Sequence, residues 1–282
     1  MAYPVVNGPY GLRPVNETGG LPFAGSTRMI PIASGYATSL YFGDPVKFTS
    51  DGTLITSGLA YNSASAETGG TLGIFLGCEY TPPSGPIYGK LRSQYWPAST
   101  AASDAVAYIC DDPNTVFKAA MLSYNTGATT TIGAVAASAL GTNLTSVATA
   151  TNNTGTAANL VGNSNVGLML ASGNVRRTAT APFRIVGFST DTYINVQQSA
   201  STTNTSTSVT LSAANASILT GMLVTGTGIA AGTFVAAVSG TSLTLSAAAT
   251  ATGTATLNFA GYPEVLVRWN AGYHAYAAAV AI

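Results

Sequence analysis

The single histidine of the chain, His274, lies in "NAGYHAYAAAV". An imidazole can act as a base, a triad member or a metal ligand, and each role needs partners. Neither helical nor strand spacing supplies a second metal-type ligand around it. No nucleophile elbow accompanies it, so a serine triad has no assembly point. The expectation is a histidine at a surface or an interface. Asp111–Asp112 is the only adjacent carboxylate pair. Such a pair can ligate calcium or work as acid and base. It also ends the strand-like run "AVAYICDD" and precedes Pro113–Asn114, the pattern of an Asx-type turn, and the turn is the favoured reading. Asp44–Pro45 and Asp51–Gly52 read as turns by the same reasoning.

"GTGIAAG", Gly226 to Gly232, has the spacing GxGxxxG and not GxGxxG. No helix-forming run follows, and no acidic residue lies about 20 positions on, so it reads as a β-turn and not a dinucleotide loop. Arg176–Arg177 is a lone basic pair in a loop. Cys78 and Cys110 each sit in a strand-like run and read as small buried apolar residues, with a bridge between them left open. No catalytic residue, cofactor site or metal site is expected. The aromatic cluster Tyr95–Trp96–Pro97 is more suggestive, because Tyr and Trp combine large area with a polar tip and anchor interfaces. A core Trp beside a loop fits the same residues equally well.

Composition narrows the function class. Of 282 residues, 46% are hydrophobic and only 7% charged, with ten basic and ten acidic side chains and no net charge. An ordinary soluble domain is about 25% charged. Nucleic acid is not an expected partner, since phosphate binding needs clustered Lys and Arg. A chain so weakly protected by charge is expected to work in an assembly. The opening "MAYPVVNGPYGLRP" lacks the basic-then-apolar order of an export signal, and no run is apolar enough to span a membrane. The charges are segregated: residues 119–175 and 192–263 contain none.

The elements that would position these residues are strands. Residues 1–30 form an extended arm, with Pro4, Pro9, Pro14 and Pro22 excluding a helix and with apolar anchors from Tyr3 to Phe23. In "PVKFT", Val46 and Phe48 oppose Lys47 and Thr49, and Asp51–Gly52 supplies a hairpin turn. "TLGIFLGCEYT" reads as a more buried strand, with Gly73 and Gly77 at bulges or close backbone approaches. "SDAVAYICDDP", "PFRIVGF" and "PEVLVRWN" complete the body. "IGAVAASALGTNL" is compatible with a short helix, and the remainder of 119–175 reads as loop with short strands. From about 200 to 260, five β-prone runs alternate with Gly- and Ser-rich turns, which predicts a small all-β sandwich.

The set "YGLRPVN", "AGSTRMIPIASGYATSLYFGDPVKFTSDGT", "GIFLGCEYT", "SQYWPASTAASDAVAYICDDPNTVFKA", "PFRIVGF" and "PEVLVRWNAGYH" resembles structural proteins of marine and cyanobacterial tailed phages. It covers residues 8–120, 182–190 and 262–276, about half the chain. The "GDPVKF…DGT…LGIFLG" portion is similar to the small β-barrel of phage head-decoration (cement) proteins. The resemblance implies a mainly β fold: a β-barrel or β-tulip-like body (31–193 plus 261–282), the arm (1–30), and an inserted Ig-like β-sandwich module (194–260). It implies a virion protein made in the host cytoplasm and placed on the outer capsid surface. Its partners would be the major capsid protein and its own copies, as a homotrimer, with no nucleic acid and no membrane. Contacts to capsid or protomer are expected from Tyr3, Tyr10, Leu12, Arg13, Tyr95 and Trp96. The alternative is a tail, fibre or adhesin protein whose inserted module binds host-surface glycan.

Overall fold

Short runs of β-branched and aromatic residues, broken by Gly, Pro and Asp, become strands throughout this mainly β protein. The computed structural model describes residues 5–57, 70–84, 89–123, 131–148, 162–170, 181–270 and 272–276. Among them the helical structure is two 3-10 turns, Ala137–Ala139 and Thr190–Thr192. The helix considered for "IGAVAASALGTNL" does not form. Its Gly and Thr residues disfavour helix, and the run supplies a bridge at Ile132, the first of these turns and the start of a strand. Arg176–Arg177 lies outside the described residues.

From residue 5 the proline-containing arm has no helix, and Val6 and Tyr10 pack on the chain's own fold. Strand β1 (Arg13–Glu17) later pairs within the body. The next unit contains β2 (Arg28–Pro31), β3 (Leu40–Tyr41), β4 (Pro45–Phe48), β5 (Leu54–Thr56), β6 (Thr71–Tyr80), β7 (Leu91–Ser93), β8 (Tyr95–Trp96) and β9 (Val106–Cys110). Its main sheet runs β2-β9-β6-β4-β5, with β7 also on β6, and β3 pairs with β8 alongside. Asp51–Gly52 sits in the β4–β5 hairpin, where Gly52 takes φ 78° and the Asp51 carboxylate accepts from the Thr53 hydroxyl at 2.9 Å. The side chains of β6 feed two cores. Leu72, Phe75 and Cys78 point into one with Trp96, and Ile74 points into the other. Register shifts against β4 and β9 let one strand change faces twice. A Cβ on Gly73 would stand 2.3 Å from the Cys110 carbonyl oxygen, so the backbones there approach as only glycine permits.

The second unit is an antiparallel sheet of β1, β10 (Thr115–Ala120), β11 (Asn143–Ala148), β12 (Val166–Leu170), β13 (Phe183–Phe188) and β20 (Glu264–Trp269), in the order β1-β10-β20-β13-β11-β12. Its two ends curl together: Gly11 N–H, just ahead of β1, donates to Val166 O at 3.0 Å, and Leu122 N–H, just after β10, donates to Leu168 O at 2.7 Å. The enclosed core is aromatic, with Trp269 against Phe183 (4.5 Å between ring centres) and Phe117 (5.9 Å). The uncharged passage 119–175 thus contributes two strands, β11 and β12, to this sheet.

The third unit interrupts the second. β14 (Ile194–Thr202), β15 (Ser208–Leu211), β16 (Leu223–Thr225), β17 (Val235–Ser239), β18 (Ser242–Leu245) and β19 (Gly253–Gly261) form one antiparallel sheet, β16-β19-β14-β15-β18-β17. The near-repeats "SVTLSAA" and "SLTLSAA" are partners, Val209 facing Leu243 across the ladder. The unit is all-β as expected, but its shape differs from two facing sheets. The ends of the single sheet join where Val224 N–H donates to Thr233 O (2.8 Å) and Val235 N–H to Met222 O (2.9 Å). Rolled this way, one sheet surrounds Val209, Leu211, Leu243, Leu245, Leu257 and Phe259 and needs no second layer. "GTGIAAG" is the hairpin loop between β16 and β17. Hydroxyls face outward: Thr254, Ser201, Thr210 and Ser242 stand in register on four neighbouring strands.

Candidate contact surface

Tyr10, Leu12 and Arg13 come from the segment that leads into β1. Gly11 and Gly43 both take positive φ (81° and 97°), and a Cβ on either would come within 2.8 Å of the other's Cα. That approach locks the segment against both of the first two units. Leu12 is fully buried in the core of the second unit. Its side chain is filling the chain's own interior, which corrects the expectation that it contacts a capsid or protomer.

Tyr10 reaches the start of β20, where its hydroxyl donates to Glu264 Oε1 at 2.5 Å. Lys118 Nζ lies 2.9 Å from Glu264 Oε2, from the adjacent strand β10. Glu264 is buried, and these partners compensate its charge. Burial above all, and then the Glu264 carboxylate, push the Tyr10 phenol well above its ordinary range, so it stays a neutral donor. The Arg13 guanidinium caps the Tyr10 ring at 4.9 Å and remains exposed. Tyr10 is therefore first an internal fastener, and Arg13 is the group of this set that faces outward. Tyr3 lies outside the described residues.

Tyr95 and Trp96 are adjacent in β8 and point oppositely. Trp96 is fully buried, edge-on to Tyr80 with ring centres 5.1 Å apart. The expectation of a contact through Trp96 is corrected, because strand alternation turns it into the core of the first unit. Tyr95 is half-buried and stacks on Tyr41 at 6.0 Å.

The large apolar side chains left outside are elsewhere, and include Val5, Leu21, Met29, Leu140 and Val186. Leu21 is 65% exposed and Met29 61% exposed. They flank the stretch from the β1 turn into β2, which is the edge strand of its sheet. Near this edge Arg28 Nε pairs with Asp111 Oδ2 at 2.8 Å, Tyr276 donates its hydroxyl to the same oxygen at 2.8 Å, and Arg28 lies over the Tyr276 ring. A separate charged cluster of the first unit centres on Glu79, with Arg92 (2.7 Å), Lys90 (3.4 Å) and the Tyr108 hydroxyl (3.0 Å). An open groove of about 510 Å³ lies between the second and third units, lined by Ser123, Thr131, Ile132, Asn215, Leu219 and Val238.

The residues first considered for chemistry fall into structural roles. His274 is fully buried, not at a surface, because the chain turns back after β20 and bridges to Thr71, with Ala275 N–H donating to Thr71 O. It is wedged between Trp269 and Tyr276, and burial lowers its pKa against the opposing pull of Asp111 and Asp112. Asp112 makes the Asx turn, accepting from Asn114 N–H at 2.8 Å. Cys78 and Cys110 are free and buried, and burial pushes the Cys78 thiol up to about 12. No cluster of metal-binding side chains occurs among the described residues. Glu264, Lys118, Met29 and Tyr276 were not singled out by sequence reasoning. The one available signal was Glu264 itself, a lone carboxylate ending a 72-residue uncharged run. Compared with protein-family models, with the curated proteins and with the solved structures, the chain matches none of them.

Proposed function

We propose that this chain is a structural virion protein that decorates the outer surface of a phage capsid and cements neighbouring capsid subunits. One observation carries the reading beyond the resemblance. The segments that carry it, although split by the insertion, are direct neighbours: β13 pairs with β20 from Phe183–Trp269 to Phe188–Val265. The third unit is thus spliced into one hairpin of the second unit's sheet, and the segments on either side of it remain one ladder. The body would bind the shell, presenting the apolar edge at Leu21 and Met29, with Arg13 of β1 and Tyr95 of β8 as further contacts. The hydroxyl-faced third unit would stay in water.

In this reading the protein is not an enzyme, and it acts by burying area at many symmetric joints. Purified protein should sediment with undecorated heads, saturating at about one trimer per three-fold position. A stable oligomer that ignores heads but binds host cells would replace this reading with that of an adhesin whose third unit takes host-surface glycan.

A further inference from the structure

The chain contains two Asp–Pro bonds, Asp44–Pro45 and Asp112–Pro113, and the fold places them in opposite settings. Asp112 is partly exposed in its Asx turn. Asp44 is 6% exposed, at the joint where Gly11–Leu12 and the Ser164 segment meet the start of β4. Its Oδ2 accepts from Tyr41 N–H at 2.8 Å, and its carboxyl also takes a hydrogen bond from Ser164. Its backbone carbonyl, the acyl half of the bond to Pro45, accepts Phe75 N–H at 2.9 Å. Pro45 is itself buried and is held in the β4–β6 ladder opposite Ile74.

An aspartyl carboxyl can close on its own peptide carbonyl to form a five-membered ring, and proline nitrogen leaves more readily than an ordinary amide nitrogen. We propose that Asp44–Pro45 is a self-cleavage site that opens in mild acid while the chain is folded. A carboxyl oxygen of Asp44 attacks the Asp44 carbonyl carbon, and the C–N bond to Pro45 breaks. The carboxyl proton passes to the departing Pro45 nitrogen. Phe75 N–H is already aimed at the oxygen on which negative charge develops. The product is a cyclic anhydride at Asp44, which one water molecule opens to a free α-carboxyl and the original side chain. The net change is the hydrolysis of one peptide bond.

The groups that hold the Asp44 carboxyl are the Tyr41 amide and the Ser164 hydroxyl. Among the described residues none of those that set its proton affinity is charged. Burial is the dominant cause and raises its pKa from 3.8 to about 6. The acid form that the reaction needs is therefore populated in mild acid. Cleavage would not scatter the pieces at once, because β1, β2 and β3 stay paired with β10, β9 and β8.

The test holds the full-length protein at about pH 5 and about pH 7.5 and reads fragment masses after denaturation. The expected result is accumulation of 1–44 and 45–282 at the lower pH, with Asp112–Pro113 intact. The folded chain should cleave about tenfold faster than the same chain in concentrated guanidinium at that pH, following the protonated fractions of about 0.9 and about 0.07. Asp44→Asn should abolish the cut. Pro45→Ala, which keeps the acid and worsens the leaving group, should slow it clearly. No cut in the folded protein, equal cutting at both Asp–Pro bonds, or faster cutting in guanidinium would overturn the proposal.

Discussion

Tyr10 and Glu264, 254 positions apart, are joined by a 2.5 Å hydrogen bond between a phenol and a buried carboxylate. The bond ties the start of the chain to the strand with which the body resumes after the insertion. Hydrogen bonds to charged groups contribute about 1.5–3 kcal/mol, so Tyr10→Phe should lower unfolding stability by about that amount in urea. Glu264→Ala should cost at least as much, since it leaves Lys118 without its carboxylate. A Tyr10→Phe protein as stable as wild type would show that the contact is incidental.

Asp44 gives the protein a pH dependence of known sign. Its folded pKa, about 6, lies above the 3.8 of an unperturbed aspartate. The folded state then holds the proton more tightly than the unfolded chain. Its contribution is full below about pH 4 and is lost as pH rises through about 6. The two-unit difference corresponds to about 3 kcal/mol as an order of magnitude. Intact Asp44→Asn protein should therefore lack a decline in stability that wild type shows between those limits. Parallel pH profiles for the two proteins would contradict this.

Trp96 and Trp269 are both buried, so native fluorescence should be blue-shifted and poorly quenched by iodide. Trp96→Ala should destabilise the first unit by about 3–5 kcal/mol through the cavity it leaves. Tyr95→Ala, one residue away on the half-buried face, should cost clearly less. Comparable losses at both positions would refute the opposed orientation of β8.

Gly73→Ala should be among the most damaging single-methyl additions in the chain, because the new Cβ meets a backbone oxygen of β9 that cannot swing aside. A loss of about 1–3 kcal/mol is expected in chemical denaturation. A neutral effect would mean that β6 and β9 can separate there at little cost.

Much of this fold was legible because strands announce themselves locally. Alternation in "PVKFT", the glycines of "TLGIFLGCEYT" and the paired "SVTLSAA" and "SLTLSAA" reflect nearest-neighbour geometry. What escaped depends on long-range closure. The rolling of the third unit rests on a few backbone bonds between Met222–Val224 and Thr233–Val235, and composition does not encode them. The contact residues were harder still. Leu12 and Trp96 are apolar residues beside loops, a pattern shared by anchors on a partner and by a chain's own core, and only burial separates the two. His274 was expected at a surface or an interface because no partner for metal or triad chemistry accompanies it in sequence, yet the return of the chain after β20 carries it inside.

The most direct test of the account removes the third unit. Ile194 pairs with Gly261 at its base, so residues 195–260 can be replaced by an Asn–Gly turn that closes the hairpin there. The shortened protein is predicted to fold and to bind undecorated heads with the same saturation ratio as the full chain. A folded, shortened protein that no longer binds heads, while the excised unit does, would contradict the assignment of shell binding to the β body.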